Sequence, residues 1–212
     1  MIKYIIFDND GVLNDTVSIH ENALNKALGE ISENYIICKT DKMFDNLPTK
    51  DKLNLLTEYK GLPEKFHSQI DEKKQEIVQK NPNNIQIDKL LQSILGTLRS
   101  KNYHLCVASN SRSNNVHKIL DRKQIIDYFD FVITGDKITH SKPHPEIFRK
   151  CMDIWNCYPN ETLVIEDHPT GWEAAWKAGC CLLKNPNTQY TTLERIKNAI
   201  KQFNSNSYTY GG

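Results

Sequence analysis

The stretch Tyr4-Ile5-Ile6-Phe7-Asp8-Asn9-Asp10-Gly11-Val12-Leu13 decides how the rest of the chain is read. Its first four residues are a short, β-rich apolar run, and an Asp-x-Asp-Gly turn follows at once. The sequence therefore predicts a strand that ends in two carboxylates two residues apart. Three more apolar runs stop in a similar way: 104–108 before Ser109, 129–133 before Thr134-Gly135-Asp136, and 163–165 before Glu166-Asp167. A fifth run, 180–183, has no polar end and reads as an edge or supporting strand.

Helical patterns at 87–100, 113–122, 145–155 and 170–177 separate these runs. Such alternation argues an α/β fold with a parallel, doubly wound sheet. Ligands bind sheets of this kind outside the carboxyl ends of the strands, where the four polar ends converge. Residues 16–82 break the alternation, with amphipathic patterns at 19–28, 50–59 and 64–79 and no convincing strand. The expected organisation is a core of 1–15 and 83–212 with an all-helical insertion of 16–82. Asn81-Pro82-Asn83-Asn84 is the turn-rich point of re-entry, and 204–212 reads as a frayed tail.

At 212 residues the chain has room for one α/β domain carrying an insertion. Lys and Arg number 27 against 26 Asp and Glu, which leaves no electrostatic footprint for nucleic acid or an anionic membrane. The apolar part of the opening MIKYIIFDND is too short for a signal-peptide core or a membrane span, so a soluble, cytoplasmic protein is expected. Its expected partner is a small metabolite, and a monomer is the expected state. The six cysteines, Cys38, Cys106, Cys151, Cys157, Cys180 and Cys181, contain no CxxC pair and read as reduced, structural thiols.

The chemistry-bearing residues sit at the strand ends. A single Asp after a strand is commonly an Asx-turn or a helix cap. Four acids at one sheet edge, Asp8, Asp10, Glu166 and Asp167, would repel one another without a cation, which argues for a metal. Mg²⁺ takes oxygen ligands and keeps positions for water and phosphate, so a few carboxylates suffice to bind it. Ser109 and the neighbouring Asn110 precede a helix, where a hydroxyl and backbone N–H groups can accept a phosphate, although a plain cap serine reads equally well. Lys142, in Ser141-Lys142-Pro143-His144-Pro145, is a cation in a loop stiffened by two prolines.

With these residues in place, the chain resembles the haloacid dehalogenase superfamily over nearly its whole length. Within it the similarity is to the group with a small helical cap that includes β-phosphoglucomutase and sugar-phosphate phosphatases. Four motifs in order carry the resemblance: Asp8-Asn9-Asp10-Gly11-Val12-Leu13, the strand ending on Ser109, the Lys142 segment, and Glu166-Asp167 with Pro169-Thr170-Gly171. The resemblance implies a Rossmann-like core and a phosphatase in which Asp8 is a covalent nucleophile and Asp10 the general acid/base. It further implies that Ser109 and Lys142 hold the phosphoryl oxygens. Mg²⁺ would be bound by the Asp8 side chain, the Asp10 backbone carbonyl and Asp167, with Glu166 joining directly or through water. The insertion would be the cap, with Thr16 and His20 facing substrate and Lys50 near it.

Two departures limit the substrate. Asn46 stands where relatives commonly have glycine, and Thr49 stands where β-phosphoglucomutase has an arginine for a second phosphate. Lys50 or Lys52 is the expected replacement. Mutase activity is the alternative to phosphatase, followed by a dehalogenase, which would need neither Asp10 nor Mg²⁺, and a silent phosphometabolite-binding protein. Trp172, in the helix after the acids, is expected to pack in the core. The other histidines, among them His140 and His144, show no ligand spacing, and His168 flanks the acids.

Overall fold

The computed structural model describes residues 1–38, 40–44, 47, 49–80 and 87–206, the side chains of 16–18, 79, 80 and 206 excepted. Asn46, the proposed turn at 81–84 and the end of the tail from 207 lie outside the described residues.

The chain divides into two compact units, Met1–Asp15 with Ile85–Gly212, and Thr16–Asn84. The first unit holds five parallel strands: β1 (Tyr4–Phe7), β2 (His104–Ser109), β3 (Phe131–Thr134), β4 (Thr162–Glu166) and β5 (Cys181–Lys184). Their order is β3-β2-β1-β4-β5. The chain therefore winds outward from β1 in one direction and then in the other, and the reversal falls beside β1, where a doubly wound sheet opens its ligand crevice. β5 is an edge strand and its residues are only half-buried or exposed, in keeping with its unremarkable sequence.

Strand alternation splits the core by residue parity. Ile5, Phe7, Leu105, Val107, Leu163 and Ile165 point to one face, which α4 (Lys89–Ser100), α5 (Ser113–Arg122) and α8 (Leu193–Asn206) cover. Ile6, Cys106, Ala108 and Val164 point to the other, under α6 (Glu146–Trp155) and α7 (Pro169–Ala178). The result is a three-layer sandwich with a Rossmann-like sheet. Ile196, Ala199 and Ile200 bury one face of helix α8 against the sheet, and the helix runs on to Asn206, which corrects the expected fraying at 204–206 alone.

The second unit is helical among its described residues. It comprises α1 (Thr16–Ile31), α2 (Thr49–Lys60) and α3 (His67–Lys80) around Leu24, Leu28, Phe44, Leu53, Leu56, Leu62 and Ile70. No described helix is long and apolar enough to cross a membrane. All six cysteines are free, and Cys106 and Cys151 are buried in the core of the first unit.

Candidate active site

β1 delivers Asp8 at the switch point, buried to 6% exposure, and the Asp8 N–H continues the ladder by donating to Ile165 O at 3.0 Å. The loop that follows is held from several sides. Asn14 Nδ2 donates to Asn9 Oδ1 at 2.8 Å, Lys123 Nζ to Leu13 O at 2.7 Å and Thr191 Oγ1 to Val12 O at 2.8 Å. Gly11 has φ +80°, and a Cβ there would overlap the Asp167 carboxylate, so the loop lies directly against that acid.

Lys142 arrives from the opposite loop with 4% side-chain exposure. Its three ammonium donors go to Asp8 Oδ1 at 2.7 Å, Glu166 Oε2 at 2.6 Å and Ala108 O at 2.9 Å. Asn110 fixes the loop itself, accepting from Lys142 N at 3.1 Å and donating to Lys142 O at 3.4 Å. Glu166 can lie flat only because Gly171 faces it, since a Cβ there would overlap the Glu166 carboxyl carbon. The Glu166 carbonyl accepts from Asn185 N at 2.8 Å and from Trp172 Nε1 at 2.9 Å. Trp172 is thus not core packing: it is half-buried, tethers the end of β4 through its indole N–H, and carries the Lys184 ammonium 4.4 Å over its ring. His168 caps α7, its Nδ1 accepting from Thr170 N at 3.3 Å.

Carboxylate oxygens of Asp8, Glu166 and Asp167 lie within 4.8 Å of one another. Burial pushes Asp8 up from 3.8 to about 8, with Glu166 adding to the shift and Lys142 opposing it. Burial and then Asp8 push Asp167 up to about 6. Glu166 is raised by burial as well, with Lys142 pulling it back. Burial alone would lower Lys142, but Asp8 and Glu166 outweigh it and keep the ammonium charged. Two buried acids and half-buried Asp167 around one cation form an all-oxygen donor set whose pKa values are raised by burial and by mutual repulsion, which fits a hard divalent cation.

These shifts carry a pH dependence. Between the ordinary 3.8 of Asp8 and its folded value of about 8, the folded state holds more protons than the unfolded one. Stability is therefore fully present below the lower value and declines as pH rises toward the upper. In EDTA the melting temperature should fall across that window, and the fall should be shallower in Asp8→Asn. Equal slopes for the two proteins would contradict the assignment.

The Asp10 carboxylate is engaged differently. Its Oδ1 accepts from Asn9 Nδ2 at 3.2 Å and its Oδ2 from Ser111 Oγ at 2.7 Å. Ser109, 1% exposed at the end of β2, accepts the Ser111 N–H at 3.1 Å, which leaves the Ser109 hydroxyl proton as a donor. The first turn of α5 is not an open anion site, because Ser113 N already donates to Asp136 Oδ1 at 2.9 Å.

The fold and this geometry now meet the known proteins, for the sequence pattern of the haloacid dehalogenase-like hydrolases matches residues 5–184. The chain belongs to that family. Among haloacid dehalogenase-like relatives, a phosphoglycolate phosphatase of Aquifex aeolicus is 30% identical, covering 84% of this chain and 82% of its own. A phosphorylated carbohydrates phosphatase of Thermotoga maritima is 29% identical, covering 84% and 82%. The crystal structure of β-phosphoglucomutase from Clostridium difficile shares the fold, with a TM-score of 0.73 at 24% identity over 96% of this chain and 99% of that one.

The structure thus brings Asp8, Asp10, Ser109, Asn110, Lys142, Glu166 and Asp167 to one edge of the hydrolase's sheet. Within the helical unit His20 is half-buried on α1, and Thr16 begins that helix with its side chain outside the described set. Lys50 is exposed, whereas Lys52 and Lys74 are buried, Lys52 Nζ lying 3.5 Å from Glu21 Oε1 and Lys74 Nζ donating to the Thr49 hydroxyl. Sequence reading missed Ser111 as the partner of Asp10, although it directly follows Ser109-Asn110.

Proposed function

We propose that this hydrolase is a Mg²⁺-dependent phosphatase of a small phosphorylated metabolite, a sugar phosphate or a phosphorylated carboxylic acid, working through a phosphoryl group carried on Asp8. The observation that carries the reading is the cluster of buried Asp8 and Glu166 with half-buried Asp167, Lys142 bridging the first two. Relatives named as phosphatases of phosphorylated carbohydrates and phosphoglycolate support it.

Asp8, Asp167 and the Asp10 backbone carbonyl would hold the Mg²⁺, with Glu166 beside them. When bound, the ion would offset charge on the phosphoryl oxygens. Lys142 fixes the Asp8 carboxylate by its Oδ1 and keeps positive charge next to the transferring group. An Asp8 oxygen attacks phosphorus as the bond to the leaving oxygen breaks, and Asp10 gives that oxygen its proton. Asp10 then takes a proton from water, whose oxygen attacks the same phosphorus. The bond to Asp8 breaks, and inorganic phosphate leaves. Ser111 steadies Asp10 for both transfers, while Ser109 and Asn110 line the phosphate's approach. From the helical unit, Thr16, His20 and Lys50 or Lys52 are the residues proposed to recognise the leaving group.

The test is phosphate release from a panel of phosphorylated sugars and phosphoglycolate with Mg²⁺, with EDTA as the control. Release should depend on Mg²⁺ and return when the ion is restored. Absence of release from every member of the panel, with conversion of a hexose 1-phosphate to its 6-phosphate, would replace the phosphatase by the mutase.

A further inference from the structure

The loop that carries Lys142 holds a second cluster of metal-ligating side chains that the phosphatase chemistry does not use. His140 and His144 lie side by side with ring centroids 4.6 Å apart, and Glu146 opens α6 next to them. His140 Nδ1 is 2.9 Å from Glu146 Oε2, and His144 Nδ1 is 3.9 Å from the same oxygen. One ring nitrogen from each histidine and one carboxylate oxygen thus gather within 4.8 Å. Sequence spacing conceals the cluster, since residues 140, 144 and 146 fall in a proline-rich loop rather than along one helix face.

The geometry points to a binding site for a borderline transition-metal ion of the Zn²⁺ class, held by His140, His144 and Glu146. Ligands bound at about 2.0–2.2 Å to a tetrahedral ion stand about 3.3 Å apart, between the two separations seen here. Ligation through Nδ1 would exchange the 3.3 Å bond that His144 Nδ1 accepts from Glu146 N, and release the proton that His140 Nδ1 gives to the Glu146 carboxylate, for bonds to the ion. Two imidazoles and one carboxylate select such ions over Mg²⁺, which prefers oxygen alone. The carboxylate is already oriented, because Glu146 Oε1 accepts from Thr139 N at 2.7 Å and Oε2 from His140 N at 2.9 Å. Those bonds also hold its carboxyl down at about 2, so it is ionised and ready to ligate. The His140 and His144 side chains are 62% and 48% exposed, which leaves the remaining positions on the ion to water. The two histidines bracket Ser141-Lys142-Pro143, so a bound ion would clamp the outside of the loop whose lysine reaches Asp8 and Glu166 inside.

The test is calorimetric titration of Zn²⁺ into untagged, reduced, full-length protein with excess Mg²⁺ present to occupy the carboxylate cluster. One Zn²⁺ event is expected, weakened in His140→Gln and in His144→Gln by about 10- to 100-fold or more, since loss of even an outer-shell partner costs that much. Both side chains are largely exposed, so neither variant threatens the fold, and unchanged melting temperatures without Zn²⁺ would verify this. The event should persist in Asp167→Asn, which removes an acid of the other cluster, and in Cys38→Ser, which removes the exposed thiol. Absence of a Zn²⁺ event, an event that both histidine variants retain at full strength, or one that vanishes in Asp167→Asn or Cys38→Ser would each overturn the site. Its failure would leave the phosphatase reading untouched, because that reading is tested by Mg²⁺ and phosphate release alone.

Discussion

Asp8→Asn should lower turnover by a factor on the order of 10⁴ or more, the scale on which removing a nucleophile acts. An amide cannot form the acyl-phosphate, and it takes one charge from the acidic cluster. Lys142 would keep Glu166 and the Ala108 carbonyl as partners, so the ammonium is not stranded. Loss of a buried acid whose pKa stands near 8 should also leave the folded protein at least as stable in EDTA at neutral pH. Kinetics on the variant, paired with its thermal melt, separate a chemical loss from unfolding. Wild-type-like turnover by purified, folded Asp8→Asn would end the covalent mechanism.

The second large effect is at Asp10, where metal binding and proton transfer should separate. The cation is expected to see the backbone carbonyl and the chemistry the carboxyl, so Asp10→Asn should keep its Mg²⁺ affinity. It should lose about 10² to 10⁴ in turnover at each step that needs a proton moved. The amide can still accept the Ser111 hydroxyl through its oxygen, so the loop should hold its shape. An aryl phosphate, whose leaving group needs little protonation, should suffer less in the first step. Dephosphorylation of Asp8 then becomes limiting, and a burst of phenolate should precede a slow steady state. Equal losses on alkyl and aryl substrates with no burst would make Asp10 a structural residue that shapes the turn before Gly11.

The sheet and the residues at its edge were legible in the sequence for a local reason. Strands β1, β2 and β4 each bury a run of apolar residues that stops abruptly at Asp8, Ser109 or Glu166, and such a stop marks both the strand end and the site. The family resemblance, carried by the same four segments, holds. What supports the site was not legible, because it comes from far along the chain. Ser111 meets Asp10 across 101 residues and Thr191 reaches Val12 across 179; Lys142, 134 residues from Asp8, was legible only through the family resemblance. Helix α8 was obscured by a different cause. Its apolar positions have helical spacing, but the Asn, Ser, Tyr and Gly residues at the chain's end masked them. Trp172 was expected in the core, whereas its indole nitrogen tethers it to the Glu166 carbonyl.

The division of the chain has a consequence for descent. Asp8, Asp10, Ser109, Lys142, Glu166 and Asp167 all lie in one unit, and Thr16–Asn84 joins that unit at only two points along the chain. The insertion packs around its own leucines, so a substitution at Leu28 or Leu56 is answered by its neighbours there. A gene of this design can acquire a new insertion by recombination at two junctions while the codons for the acids and the lysine pass on unaltered.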